Sequence, residues 1–299
     1  MSDSTDQSPR SSMPITGRDG LPWNCPAPLR EAASALPAVP GVYLFMGDGT
    51  VPLYIGKSIN LRARVLSHLR NPDEVRWLRQ TRRIDHIPTA GEIGALLLEA
   101  QLIKSHQPLM NQRLRRNRQL CALQWTSGRP AVVSAHEVDF AAEPNLYGPF
   151  GGPRSAHAML EQLADAHRLC LGSLGLEKLS RGRACFRAAL GKCAGVCRGD
   201  ETQQAHDARL AEALQAWQLR CWPYSDAVAI VEERDGICDH LVVKNWHYLG
   251  RADSLAAARQ LTSVAAGFDA DGYKILCGPL LKGDARVVPL GGVAWEDGH

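Results

Sequence analysis

The stretch that decides the fold runs from Pro40 to Lys57 and reads PGVYLFMGDGTVPLYIGK. Two β-prone runs, Val42 to Met46 and Pro52 to Ile55, flank Gly47-Asp48-Gly49, whose turn chemistry closes them into a hairpin. Each run carries a tyrosine close to a glycine: Gly41-Val42-Tyr43 in the first, Tyr54-Ile55-Gly56 in the second. Lys57 falls at the junction with a helix predicted from Ile59 to about Leu69, capped by Ser58, with Leu61, Val65 and Leu69 as its apolar stripe. Arg64 and His68 are four apart, hence neighbours on one face of that helix.

Outward from this core, Asp73 to Arg83 reads as a second helix and Ile84 to Pro88 as a third strand. Thr89-Ala90-Gly91-Glu92 has the capping-box pattern and opens a helix to about His106, which Pro108 ends and Asn111 follows. Ile93, Leu96, Leu97, Ala100 and Ile103 form its core face, so Glu99 sits in apolar company, where a carboxylate is costly unless paired or metal-bound. Arg30 to Leu36 is a short helix, and residues 1–28, rich in Ser, Asp, Pro and Gly, are expected to be a disordered tail. Beyond the first α/β domain, residues 36–116, strands are expected at Cys121–Trp125 and Val132–Ser134, and a linker at Tyr147–Pro153. Residues 117–220 form a helical, Cys-rich domain with helices at Arg154–Cys170 and Glu201–Trp217. Residues 221–299 form a small α+β domain, with strands at Ala227–Glu233, His240–Tyr248 and Tyr273–Cys277 and a helix at Leu255–Leu261.

The 299 residues leave room for two or three small domains, and 45% hydrophobic with 22% charged residues is the composition of a soluble globular protein. No apolar stretch approaches the roughly 20 residues of a membrane span and no signal-peptide core is present, so the cytoplasm is expected, without membrane contact. The net charge of +3 hides an asymmetry: Lys57 to Arg118 holds thirteen Lys and Arg against five acids, a local +8, while the remainder carries −5. An arginine-heavy excess around a candidate site points to a polyanion such as DNA, with Arg62, Arg113, Arg115, Arg116 and Arg118 as its contacts. Nine cysteines without an export signal argue against a disulfide scaffold. Cys170, Cys185, Cys193 and Cys197 are grouped, and spacing alone reads them equally as buried thiols or as metal ligands.

In order and spacing, Tyr43, Tyr54, Lys57, Arg64, Glu99 and Asn111 resemble the GIY-YIG nuclease module, whose sheet is a three-stranded antiparallel one flanked by helices. Those residue types suit phosphodiester hydrolysis, which needs a base for water, cations for the charge on phosphorus and a carboxylate for a divalent metal. The segments Pro40–Phe45, Leu53–Lys57, Asn60–Arg62, Glu99–Lys104, Gln107–Asn111 and Tyr147–Phe150 extend the likeness to bacterial UvrC, and the length points to its shorter homologues, the Cho family. The resemblance implies a single incision on the 3′ side of a lesion in double-stranded DNA, after UvrA and UvrB have marked it, by a monomer. It also implies that Tyr43 or Tyr54 positions or deprotonates the water, that Lys57 supports that tyrosine, and that Arg64 contacts the scissile phosphate. Glu99 would bind Mg²⁺ or Mn²⁺, Asn111 would orient the site, and His68 is a further neighbour.

For the four cysteines the resemblance implies a [4Fe-4S] cluster, with a structural role beside the basic segment Arg181 to Arg198. After Asn111 the chain departs from the UvrC pattern with the more basic Arg115–Leu120, and it ends where UvrC would begin its second nuclease domain, so one cut per lesion is expected. The alternatives are a sequence-specific GIY-YIG endonuclease and a non-catalytic UvrB- or DNA-binding adaptor. The intact site residues argue against the adaptor, and the lack of a recognisable recognition domain argues against the sequence-specific enzyme.

Overall fold

A computed structural model of the chain describes residues 15–17, 20, 22–111, 120–179, 183–264 and 267–291. They divide into two compact units, one within 1–116 plus 232–239, the other within 117–231 plus 240–299. The second unit holds residues from both 117–220 and 221–299.

The first unit is built on a three-stranded antiparallel sheet. Strand β1 (Gly41–Met46) lies between β2 (Pro52–Ser58) and β3 (Arg83–Pro88). The register sets Tyr43 opposite Gly56 and His86, and Phe45 opposite Tyr54 and Ile84. Alternation along β1 then sorts its side chains. Tyr43 and Phe45 join Leu61, Val65, Trp77 and Leu78 in one core, beneath helices α1 (Ala27–Ala35), α2 (Leu61–His68) and α3 (Val75–Leu78). Val42, Leu44 and Met46 pack on the opposite face with Ile55 and with Ile103 of helix α4 (Glu92–His106). Covered on both faces, all six residues of β1 are buried.

Four local expectations are corrected. In the N-terminal stretch read as a tail, Ile15–Thr16 pairs with Pro22–Trp23, and Trp23 is buried in the core with Tyr43; α1 starts at Ala27, with Pro28 in its first turn where a missing N–H costs nothing. Asn60, not Ser58, caps α2, its Oδ1 accepting from Ala63 N–H at 3.0 Å, because Ser58 is still the last residue of β2. The helix expected at Asp73–Arg83 is one 3₁₀ turn, Pro72–Glu74, and one turn of α3. The capping box at Thr89–Glu92 does not form: the Glu232 carboxylate accepts the Ile93 and Gly94 N–H groups at 3.0 and 2.9 Å, and Asp239 accepts that of Ala90 at 2.8 Å. A carboxylate at a helix N-terminus answers both its unpaired donors and its dipole. Gly91 leaves the space, since a Cβ there would lie 2.1 Å from a Glu232 oxygen.

In the second unit, β4 (Cys121–Gln124) lies between β5 (Ala131–Ser134) and β6 (Leu146–Phe150). The expected linker is thus a strand, because Tyr147 and Phe150 are buried in a core shared with helices α5 (Pro153–His167) and α8 (Gln203–Leu214). Short helices α6 (Leu171–Leu174) and α7 (Phe186–Ala189) lie between those two in sequence. A second sheet has the order β9-β8-β7-β10, from β7 (Val228–Arg234), β8 (Ile237–Lys244), β9 (His247–Ala252) and β10 (Val287–Pro289). The strand expected at Tyr273–Cys277 lies inside helix α10 (Ala270–Leu281), which follows the one-turn helix α9 (Leu255–Ala258). Asp269 caps it by accepting from the Asp271 and Gly272 N–H groups at 3.1 Å, and buried Tyr273, Leu276 and Leu280 recur at helical spacing. Among the described residues no helix is long and apolar enough to cross a membrane.

Candidate active site

Strand β2 is the outer strand of its sheet, so alternate backbone groups face outward and need partners. Asn111 supplies two of them: its Oδ1 accepts from Ile55 N–H at 2.9 Å and its Nδ2 donates to Ile55 O at 2.7 Å. Met110 N–H donates to Leu53 O at 3.1 Å. Glu99 completes the row, its Oε1 accepting from Lys57 N–H at 3.0 Å. The motif residues Asn111 and Glu99 are thereby drawn to one strand edge, each hydrogen bond contributing about 1 kcal/mol.

Glu99 is half-buried, and burial pushes its carboxyl above the usual carboxylate range, with Lys57 pulling it only part of the way back. A desolvated carboxylate with one oxygen held by a backbone amide is a donor suited to a hard divalent cation. The Lys57 ammonium pairs with Glu92 Oε1 at 2.6 Å, so in this state it serves a carboxylate rather than a tyrosine.

On the other face, Tyr43 is 1% exposed and its ring covers Gly56: a Cβ on Gly56 would lie 2.3 Å from the Tyr43 hydroxyl oxygen and 2.5 Å from Cζ. That close approach is why the second motif needs glycine at this place. The Tyr43 hydroxyl lies 2.7 Å from His68 Nε2, and His68 Nδ1 lies 2.5 Å from Glu74 Oε2. The Arg64 guanidinium and the Tyr54 hydroxyl also lie beside the Tyr43 hydroxyl. Tyr54 stacks on Trp77 with ring centroids 5.4 Å apart and an interplanar angle of 23°. Burial raises both phenols above their ordinary value, Tyr43 the more strongly, and the Glu99 charge raises Tyr54 further. Neither is a phenolate at neutral pH in this state.

Tyr43, Tyr54, Arg64, His68 and Glu99 are thus linked by hydrogen bonds or mutual electrostatics, with Asn111 holding the edge of β2, the strand that bears Tyr54. Three neighbours escaped the sequence reading. Glu74 and Trp77 sit where the sequence predicts one uninterrupted helix, and Glu92 where it predicts a capping box. Of the expected DNA contacts, Arg62 donates through Nε to Leu36 O at 2.6 Å, while Arg113, Arg115, Arg116 and Arg118 lie outside the described residues.

In the second unit, the ligand sulfurs of Cys170, Cys185, Cys193 and Cys197 all lie within 4.8 Å of one another, and the first three residues are buried. Cys170 N–H donates to the fully buried His206 Nε2 at 3.1 Å, Cys185 N–H to Cys197 Sγ at 3.4 Å, and Gly195 N–H to Cys193 Sγ at 3.3 Å. Burial pushes Cys185 and Cys193 up; it also pushes Cys197 up, but the Cys185 amide and the three neighbouring thiols together hold Cys197 below its usual value. Four unbridged sulfurs converging with amide donors fit a tetrathiolate metal site. In the basic segment beside them Arg187 pairs with Asp165 and Arg198 with Asp200, so two of its cations are already engaged.

Residues 39–112 match the UvrC-like GIY-YIG domain, 120–216 the UvrC/Cho excinuclease middle domain and 227–294 the excinuclease Cho C-terminal domain. Excinuclease Cho of Escherichia coli strain K12 is 55% identical over 269 residues, covering 90% of this chain and 91% of that one. Excinuclease Cho of Salmonella typhimurium strain LT2 is 55% identical over 269 residues, 90% of this chain and 92% of that one. A solved structure of the GIY-YIG N-terminal endonuclease domain of UvrC from Thermotoga maritima, bound to magnesium as its catalytic divalent cation, is 35% identical, with a TM-score of 0.28, and covers 29% of this chain and 98% of that one. With three successive domain matches and a likeness at this level over nine-tenths of its length, the chain belongs to the excinuclease Cho family, nucleases built around a UvrC-like GIY-YIG domain.

Proposed function

We propose that the chain is a DNA endonuclease of nucleotide excision repair that makes one metal-dependent incision on the 3′ side of a lesion marked by UvrA and UvrB. The observation that carries this reading is the placing of Glu99 on the edge of the strand that bears Tyr54, with Tyr43 and Arg64 beside it. Glu99 would hold Mg²⁺ or Mn²⁺, which when bound supplies electrostatic stabilisation to the charge building on the phosphoryl oxygens. Arg64, exposed and aimed at the tyrosine pair, would add a fixed positive charge for the scissile phosphate. The tyrosine pair would take the proton of the attacking water, and Asn111 would keep β2 from shifting under it. The basic stretch Lys57–Arg118 would track the duplex backbone, with UvrB as the protein partner. A monomer working in the cytoplasm fits this role.

The four cysteines would hold a structural metal group. The family resemblance favours a [4Fe-4S] cluster. The sulfur separations favour a second reading, one tetrahedral zinc ion, since a Zn–S bond near 2.3 Å implies sulfurs about 3.8 Å apart, and Cys185 and Cys197 Sγ are 3.6 Å apart.

The test is to map cuts in a duplex carrying one bulky lesion, with and without UvrA, UvrB and Mg²⁺. One cut 3′ of the lesion that needs all three is expected. Cutting of undamaged DNA at a fixed sequence without the Uvr proteins would favour a sequence-specific nuclease instead, and binding without cutting would favour an adaptor.

A further inference from the structure

We propose that Glu74 is a positioning residue: it holds His68 as its Nδ1–H tautomer, so that Nε2 accepts the Tyr43 hydroxyl proton and becomes the proton sink of the site. This rests on the nuclease reading above and deepens it.

A neutral imidazole carries one N–H, and an ionised carboxylate only accepts. With Glu74 Oε2 2.5 Å from Nδ1, that nitrogen carries the hydrogen and Nε2 is bare. Tyr43, 2.7 Å from Nε2, must then donate. Glu74 is held for the purpose: its N–H donates to Asn71 O at 3.1 Å, and Asn71 Oδ1 accepts from Asp73 N–H at 3.1 Å. The need for such a sink follows from the burial of both phenols, which leaves them too basic to ionise unaided. The bare Nε2 of a neutral imidazole, 2.7 Å from the Tyr43 hydroxyl, can take what they cannot release to water.

The step balances. The water gives a proton to Tyr54 Oη as the Tyr54 hydroxyl proton passes to Tyr43 Oη and the Tyr43 hydroxyl proton to His68 Nε2. The water oxygen bonds to phosphorus, the bond from phosphorus to the leaving nucleoside oxygen breaks, and that oxygen takes a proton from solvent. Both tyrosines end as phenols, and the imidazolium, paired with Glu74, returns its proton to solvent. Without Glu74 the ring is free to place its hydrogen on Nε2, where it would meet the Tyr43 hydroxyl as a donor and close the route.

A buried histidine satisfied by a carboxylate is also an ordinary structural device, so the test separates the two. Single-turnover incision of the lesion duplex with UvrA, UvrB and Mg²⁺ is measured for wild type, Glu74→Ala, Glu74→Gln, His68→Gln and the His68→Gln/Glu74→Ala double variant. Glu74→Ala is expected to slow cutting about 10²-fold with unchanged DNA affinity, and Glu74→Gln, whose amide oxygen can still accept from Nδ1–H, to recover part of it. In the His68→Gln background Glu74→Ala should change the rate less than about twofold, because the partner it acts through is gone. Wild-type rate in Glu74→Ala, or an equal loss in both backgrounds, overturns the proposal. ¹⁵N-histidine spectra of the wild type, with His68 assigned by its absence in His68→Gln, should show a protonated Nδ1 and a bare Nε2; an Nε2–H tautomer overturns the proposal even if a variant does not fold. Wild type that cuts no DNA would instead sink the nuclease reading, and the spectrum would still decide what Glu74 does.

Discussion

Glu99 Oε1 accepts the backbone N–H of Lys57 at 3.0 Å, so the carboxylate that a metal would need also completes the outer edge of the sheet. The arrangement is a compromise. The amide fixes the carboxylate in place, yet burial disfavours its charge, and that cost is lifted only when a cation arrives.

This has a consequence for stability without metal. The folded-state pKa of Glu99 lies above its usual value, so the folded protein holds the proton more tightly than the unfolded chain. Stability from this group falls as pH rises from the usual carboxylate range through the raised value. Metal-free Glu99→Gln should therefore melt about 1–2 °C above wild type at pH 7.5, with the difference vanishing in acid. Thermal melts in chelator across pH test it, and a lower melting temperature at neutral pH would contradict it.

Gly56 and Tyr43 are matched across the β1–β2 ladder, with no room between them for a methyl group. Gly56→Ala should cost about 1–3 kcal/mol in denaturant unfolding and abolish incision, since the ring must move. Tyr43→Phe keeps the ring and should keep the fold while losing most of the activity. A Gly56→Ala protein with wild-type stability and rate would mean that the ring is not held there.

Glu232 caps the helix that carries Glu99 from 139 residues away in sequence. Glu232→Ala leaves two helix N–H groups without their acceptor and should lower stability by about 1–2 kcal/mol, with a weaker apparent affinity for Mg²⁺ in the incision assay. Unchanged stability and Mg²⁺ dependence would show the cap to be dispensable.

Purified without oxygen, the protein should carry metal at Cys170, Cys185, Cys193 and Cys197. About four irons and a brown colour would assign the cluster, and one zinc in colourless protein the single ion. Cys193→Ser should lose the metal and destabilise that region, because ligand binding and folding are coupled. Metal-free, fully folded and active protein would return the four to ordinary core thiols.

The sequence was most readable where local chemistry and tertiary need agree. Glycine, alternating apolar residues and a turn mark the Pro40–Lys57 hairpin, and the paired strands form there with the two tyrosines on one face. It was least readable where a single distant side chain decides. Trp23 anchors a stretch whose composition reads as unstructured, and Glu232 displaces a capping box that was locally plausible. Tyr273–Cys277 looks strand-like by residue type, but the cap at Asp269 and the spacing of Leu276 and Leu280 make it helical. At the site, Glu74 carries no local signal, and only the fold brings it to His68.

The most direct test of the central claim is single-turnover incision of a lesion-bearing duplex, with UvrA and UvrB, by wild type and Glu99→Gln over a Mg²⁺ titration, with DNA binding measured in parallel. Wild type should cut once, 3′ of the lesion, with a rate that rises with Mg²⁺ and disappears in excess chelator. Glu99→Gln should bind the DNA as well and cut at least about 10³-fold more slowly at every Mg²⁺ concentration. Comparable cutting by the two proteins, or wild-type cutting undiminished in chelator, would contradict a metal-dependent nuclease centred on Glu99.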